Sequence, residues 1–289
     1  MPVAVDVARP VTFDVSRQRR RAEGRAPPDA GSAPRPALVT VRYVSIDPLA
    51  PLEELPGIAD AVADSRRAVD GLLGNRVLRR KSSEVSAESL LRGAWASAVL
   101  AGSAATLDEV RAGTATDPIM QGSLRVSVEL ATLADTWRTA HRQVLARLHA
   151  LAAADLAEPD QLGRPRPDRE VAHRLDILAD VLASTTAPAV IVAAVVQAEI
   201  LSLDAFAPAS GIVARAAARL TLIDRGLDPK SLVVLEVGHL EQRAQLALAL
   251  DGYRAGAPAG VAGWLQHCCT AVELGARESL AICEAIQRG

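Results

Sequence analysis

Ala187-Pro-Ala-Val-Ile-Val-Ala-Ala-Val-Val-Gln-Ala-Glu-Ile-Leu-Ser-Leu203, followed at once by Asp204-Ala-Phe-Ala-Pro-Ala-Ser210-Gly-Ile-Val-Ala-Arg215, decides how this chain is read. The first part is apolar nearly all round, and its densest run, Ala187 to Val196, stops at Gln197 and Glu199. That is too short to span a bilayer and suits a helix in the middle of a bundle. Asp204 to Ala209 then reads as a turn, with Ser210 as N-cap of a second helix that ends near Gly226 in Gly-Leu-Asp-Pro. A central helix, a short loop and a capped helix with Gly in its first turn form a phosphate-binding geometry, because free amides and the helix dipole face one point. Any capped helix after a turn shares this arrangement, so the residues of the turn must carry the argument.

Outward from this centre the pattern is helical from Pro56 onward, with no second strand run, and the class is all-α. Ile58, Val62, Val69, Leu72 and Val77 share one helical stripe, and Leu90, Leu91, Trp95, Val99 and Leu100 another. Thr106-Leu-Asp-Glu109 is a capping box with Gly113 as its stop, and Asp117-Pro118 opens a long helical stretch to about Ala154 that divides in two. Asp155 to Asp168, with Pro159, Gly163, Pro165 and Pro167, is a loop, and Asp168 caps the next helix. Residues 1–37 are rich in Pro, Gly, Ala and Arg without helical or strand period, which predicts a disordered tail. Leu38 to Ile46 alternates as a lone strand would. The expected organisation is a basic tail over 1–37, an N-terminal helical segment over 38–115 and a core over 116–289.

Composition removes several functions. Lys plus Arg is 32 against 34 Asp plus Glu, so the net charge of -2 draws neither nucleic acid nor anionic lipid in bulk. Local binding through Arg17, Arg19, Arg20, Arg21 and Arg25 is the one route to nucleic acid in this reading. Aromatics are 2%, too few for a base-stacking platform. The 3 cysteines, Cys268, Cys269 and Cys283, cannot frame a disulfide scaffold and read as buried helix residues. They fit a reducing cytoplasm, and Met1 to Pro10 lacks the apolar run of a secretory signal. His267-Cys268-Cys269 lacks zinc-site spacing, and His141 and His149 stand eight apart, off the i, i+4 spacing of a metal pair, so no metal site is expected. His173 and His239 read as local hydrogen-bonding residues near helix starts. The Ala-rich faces allow close helix packing within one chain or between two, which admits a homodimer.

The central stretch resembles the Fic (Fido) family, whose motif H-P-F-x-D/E-G-N-G-R-x-x-R lies between two core helices. Arg215 falls on the second arginine, Gly211 on the last glycine and Phe206 on the phenylalanine. Upstream, Trp95 to Val110 is similar to the family's inhibitory helix, S/T-x-x-x-E-G followed by A-T-L-D-E, with Ser97 and Gly102 in place. Downstream, Gly263 to Val272 is similar to a W-L-x-F-F-L-x-x-V helix that follows a Y-x-x-L region, here near Tyr253. The resemblance covers roughly residues 57 to 285. It implies a Fic-like helical bundle that binds ATP or another nucleotide.

The departures bear on chemistry. The motif His, which the resemblance makes the general base that deprotonates a target hydroxyl, is Asp204 here, about 2.5 units more acidic in water. The acidic Mg²⁺ ligand is Pro208, without a side-chain oxygen. Gly-Asn becomes Ala209-Ser210, and the first motif arginine becomes Ile212. The inhibitory glutamate is Ala101, so catalyst and brake are lost together. A glutamate facing Ile212 would be a partly buried unpaired charge, and its removal fits a protein that kept the fold and gave up the reaction. The target-holding flap would fall in Asp155 to Asp168, whose prolines oppose strand addition.

Three readings follow. The first is a catalytically degenerate Fic-like protein that binds a protein partner or senses a nucleotide, with Ser210, Gly211 and Arg215 holding one phosphate and no metal. The second is a diverged nucleotidyl (AMP) transferase with Asp204 as base, its pKa raised by the apolar helix before it. The third is a nucleic-acid-associated regulator acting through the Arg-rich tail.

Overall fold

The all-round apolar character of 189–203 has a direct structural cause: this helix divides two hydrophobic cores and feeds both. The computed structural model describes residues 47–288, so the tail over 1–37 and the strand expected over 38–46 lie outside the described residues. Twelve helices follow one another with no strand among the described residues. They are α1 (Ala50–Glu53), α2 (Ile58–Leu73), α3 (Leu78–Leu100), α4 (Leu107–Ala112), α5 (Pro118–Trp137) and α6 (His141–Ala152), then α7 (Arg169–Ser184), α8 (Ala189–Leu203), α9 (Ser210–Asp224), α10 (Leu235–Glu241), α11 (Arg243–Ala255) and α12 (Pro258–Arg288).

One core gathers α5, α6, α7, α8 and α9 around Leu130, Trp137, Leu148, Val196, Ile200 and Leu220. The other joins α2, α3, α8, α10 and α12 around Ile58, Leu72, Val85, Ile191, Trp264 and Ile282. α8 sends Val192, Val195, Val196 and Ile200 into the first and Val190, Ile191, Ala194 and Ala198 into the second. Two of its polar residues have partners: Glu199 accepts from Arg174 and from the Tyr253 hydroxyl at 2.7 Å, and Gln197 meets His239 through Oε1. α12 needs one apolar face only, and Val261, Leu265, Cys268, Val272, Ala276 and Cys283 supply it at helical spacing. All three cysteines are buried on this helix, and burial pushes the Cys269 thiol up to about 12, so it stays a neutral core side chain.

Local signals behave as their chemistry dictates. Thr106 and Glu109 form the reciprocal capping box, with Gly113 left-handed at φ 69°. Asp117 caps α5 through the Met120 amide, and Asp168 caps α7 through the Glu170 amide. Asp155 to Asp168 contains no helix or strand. At the chain's entry Asp47 accepts from the Thr186 amide and hydroxyl, the Thr185 hydroxyl and the Leu49 amide, tying residue 47 to the loop before α8. Burial opposes its charge, but these bonds hold its pKa well below the usual carboxylate range. No helix among the described residues is long and apolar enough to cross a membrane.

The stripe expected on α3 is displaced. Leu90, Leu91, Trp95, Val99 and Leu100 are only partly buried, while Val85, Ser89, Gly93, Ala94, Ala96, Ser97 and Ala98 face inward. Close approach explains the exchange: a Cβ on Gly93 would lie 2.6 Å from Arg219 Nη1 and 3.0 Å from a Glu236 carboxylate oxygen. Only a face of small residues lets α3 approach α9 and α10 so closely.

Candidate functional site

The turn between α8 and α9 is built largely by its own hydrogen bonds. Asp204 ends α8 as a left-handed C-cap, φ 45° and ψ 45°, a conformation Asp tolerates better than most residues. Its side chain is exposed and forms no hydrogen bond or ion pair among the described residues. It therefore ends a helix and does not meet Arg215. Phe206 is 2% exposed, packs its ring 5.5 Å from His149, and donates its amide to Ser210 Oγ at 2.8 Å. Ala209 donates back to the Phe206 carbonyl at 2.9 Å, and Pro208 follows a cis peptide bond on the exposed side.

Ser210 was expected to cap α9, and the structure differs. It is the first residue of the helix after Ala209, and its hydroxyl serves the Phe206 amide within the turn. The physical reason is that Phe206 is buried, and an unpaired amide there costs more than an N-terminal helix amide left to solvent. Gly211 follows, and a Cβ on it would sit 3.3 Å from both terminal nitrogens of Arg215. The guanidinium thus lies directly beneath the first turn of α9.

Arg215 is 4% exposed, yet no carboxylate lies within ion-pair distance among the described residues. Its Nε donates to Ser97 Oγ at 2.9 Å and its Nη2 to the Ser97 carbonyl at 2.7 Å, both in the last turn of α3. Burial lowers its pKa to about 10, offset in part by the field of Glu236, so it remains a cation at neutral pH. Glu236 itself is committed to Arg219, whose Nη1 lies 3.2 Å away. Ala101 is the exposed C-cap of α3, Gly102 is left-handed at φ 105°, and Ile212 is buried in the first core. The Asp155–Asp168 loop meets the turn through one backbone bond, from the Arg166 amide to the Ala205 carbonyl at 2.9 Å.

A second polar cluster lies behind Arg215, and the sequence reading did not foresee it. His239 stacks on His267 with ring centroids 5.2 Å apart and their nitrogens 3.1 Å apart, and its other nitrogen meets Gln197 Oε1. His239 is not a residue of a helix start: it is buried in the last turn of α10, brought there by the packing of α10 on α12. His149 is buried as well. Nothing in the separate sequence neighbourhoods of Gln197, His239 and His267 signals their meeting.

Burial, with His267 and Arg215 adding repulsion, holds His239 well below the usual imidazole range, and burial takes His267 to about 4. Both are neutral in the folded protein near pH 7. An unfolded chain protonates them near pH 6.5, so the stability they permit is complete above that pH and is lost as pH falls toward about 4. Urea midpoints measured between pH 7.5 and 4.5 are expected to fall in that window, and His267→Gln should flatten the fall. An equal fall in the variant would assign the effect to other groups.

Taken together, the turn offers one buried cation, the first amides of a fifteen-residue helix, and no side-chain base aimed at them. Among the described residues no cluster of His, Cys, Asp or Glu could hold a metal ion.

This architecture is the Fic fold. A Fic family protein from Desulfovibrio desulfuricans G20 superposes with a TM-score of 0.67 over 78% of this chain and 75% of its own, at 16% identity. Fic-1 (residues 134–508) from C. elegans superposes with a TM-score of 0.61 over 79% of this chain and 73% of its own, at 14% identity. No protein-family model matches the sequence, and no curated protein matches it.

Proposed function

We propose that this protein is a Fic-fold binding module that holds an anion at the α8–α9 turn and does not transfer a nucleotide, acting as a regulator through a protein partner or a sensed nucleotide. One observation carries the reading: the Arg215 guanidinium is buried, charged and, among the described residues, without a carboxylate partner and hydrogen-bonded by Ser97 alone. A buried cation without a counter-ion costs stability, which favours a role in meeting an anion brought from outside. Beside it, the position that the resemblance makes the base is Asp204, exposed on a left-handed residue, and Pro208 presents no metal ligand.

Calorimetric titration of ATP, GTP and CTP, each with and without Mg²⁺, tests this. Binding is expected to be indifferent to Mg²⁺ and to weaken at least tenfold in Arg215→Met, about 1.4 kcal/mol or more, while Arg215→Met folds with undiminished stability. Intact-mass analysis of candidate protein partners incubated with the nucleotides should find no added nucleotidyl group. The alternative, a diverged transferase, requires incorporation that disappears in Asp204→Ala, and that result would replace the present reading.

A further inference from the structure

We propose that the junction of α2 and α3 is a docking surface for the phosphate backbone of double-stranded nucleic acid, formed by Arg76, Arg79 and Arg80. The surface is separate from the α8–α9 turn, and each reading stands or falls alone. Four cations occupy the six residues Arg76-Val-Leu-Arg-Arg-Lys81 in a chain whose net charge is -2. Lys81 is paired with Glu84 at 2.7 Å. Arg76, Arg79 and Arg80 are exposed and have no ion pair among the described residues, while their neighbours Arg66 and Arg67 on α2 pair with Asp70 and Asp64.

The three guanidinia are carried by a fixed turn. Leu72 and Leu78 anchor it in the second core at 0% and 4% exposure. The Val77 amide donates to Asn75 Oδ1 and the Leu78 amide to the Asn75 carbonyl, while Arg79 and Arg80 donate to the carbonyls of Arg76 and Val77. With Leu78 turned inward, Arg76, Arg79 and Arg80 all remain exposed, and the i, i+3 and i, i+4 offsets from Arg76 keep Arg79 and Arg80 close to it. Lys81 is non-helical (φ -123°, ψ 20°) and kinks α3, so Arg76, Arg79 and Arg80 stand before the kink, ahead of the positive end of the straight helix that runs on to Leu100. Placed there they oppose the helix dipole and one another. Internal stability gives no reason to collect them, and an external polyanion does.

The class of polyanion follows from the surroundings. The large apolar side chains most exposed among the described residues, Val128 and Leu248, belong to α5 and α11 and not to the junction, which favours a polar polyanion over a membrane. No aromatic residue lies between Asp70 and Ser86, which leaves no platform for stacking bases. Arginine forks on a rigid turn match a regular row of phosphates, and a duplex offers that row without the ordering cost an acidic peptide would bear. Contacts of this kind position without reading sequence.

Fluorescence anisotropy of labelled duplex DNA and duplex RNA with the full-length protein tests the proposal. Three phosphate contacts contribute about -2.7 to the slope of log K against log salt, or roughly fortyfold in affinity between 50 and 200 mM. Arg76→Ala/Arg79→Ala/Arg80→Ala is expected to make the slope shallower by about that amount, whereas Arg142→Ala on α6 leaves it unchanged. The triple variant is also expected to melt no lower than the parent, because repulsion is removed. Equal slopes in parent and triple variant would overturn the proposal, as would absence of binding to either duplex at 50 mM salt. A patch-dependent affinity for polyglutamate or for anionic lipid vesicles that exceeds that for the duplexes would overturn it too, in favour of an acidic protein or a membrane.

Discussion

Glu236→Ala is expected to cost about 3–5 kcal/mol of folding stability, seen as a large fall in the urea midpoint or as loss of soluble protein. Among the described residues Glu236 is the one carboxylate paired with Arg219, which is 1% exposed, with Nη1 3.2 and 3.3 Å from its two oxygens. Ser231 accepts the remaining donors through Oγ and its carbonyl, both at 2.8 Å. Removing the carboxylate leaves a guanidinium in the interior without its counter-charge, beside a second buried cation at Arg215 whose charge Glu236 also favours. The control is the double change Arg219→Met/Glu236→Ala. Removing both charges should recover a large part of the loss, because the penalty belongs to the orphaned charge and not to the missing contact. If the double variant were as unstable as the single one, packing and not electrostatics would be the cause.

Gly238→Ala carries the second largest expected effect, and its sign runs against helix propensity. Alanine in the middle of a helix gains about 1 kcal/mol over glycine when nothing stands in the way. Here the new Cβ would lie 2.0 Å from the Ala271 carbonyl oxygen and 2.7 Å from its Cα, which are backbone atoms of α12 that cannot rotate aside. Relief requires moving α10 away from α12 and opening the second core, at a net cost of about 1–3 kcal/mol or more. A thermal midpoint lowered by several degrees is the expected reading, and an unchanged midpoint would show that the two helices are free to separate. Gly263→Ala on α12, where a Cβ meets nothing within 4 Å, is the matched control and should be neutral or slightly stabilising.

The two experiments bear on different kinds of information in the chain. Capping boxes, proline-bearing helix starts and left-handed glycines are properties of neighbouring residues, and they place α4, α5 and α7 from the sequence alone. The apolar helix at 189–203 is legible for the same reason, since a stretch whose one charge is Glu199 has no stable place but the interior. The hydrophobic stripe of α3 packs at the edge of the cores through Leu90, Leu91 and Trp95, while its most buried face is set by the distance to its neighbours. Where helices touch through glycine and alanine, the small residues are the buried ones and leucines rest at the margin.

The candidate site divides along the same line. Its residues Asp204, Phe206, Ser210, Gly211 and Arg215 stand within twelve positions of one another, so their order and the turn between two helices could be read directly. What each one does could not. Ser210 bonds the turn instead of capping the helix, and Asp204 is the exposed left-handed end of α8. Arg215 reaches Ser97, 118 residues away.

The sequence by itself determined a helical chain, its stops and caps, the central apolar helix and the order of residues in the turn that follows it, because these depend on local sterics and on residue identity. Only the tertiary structure decided which charges are paired. The Arg219–Glu236 pair, the His239–His267–Gln197 cluster and the solitary Arg215 arise from contacts between residues far apart in the chain. Such contacts cannot be anticipated from local pattern, because the energy of a buried polar group depends on the partner the fold brings to it.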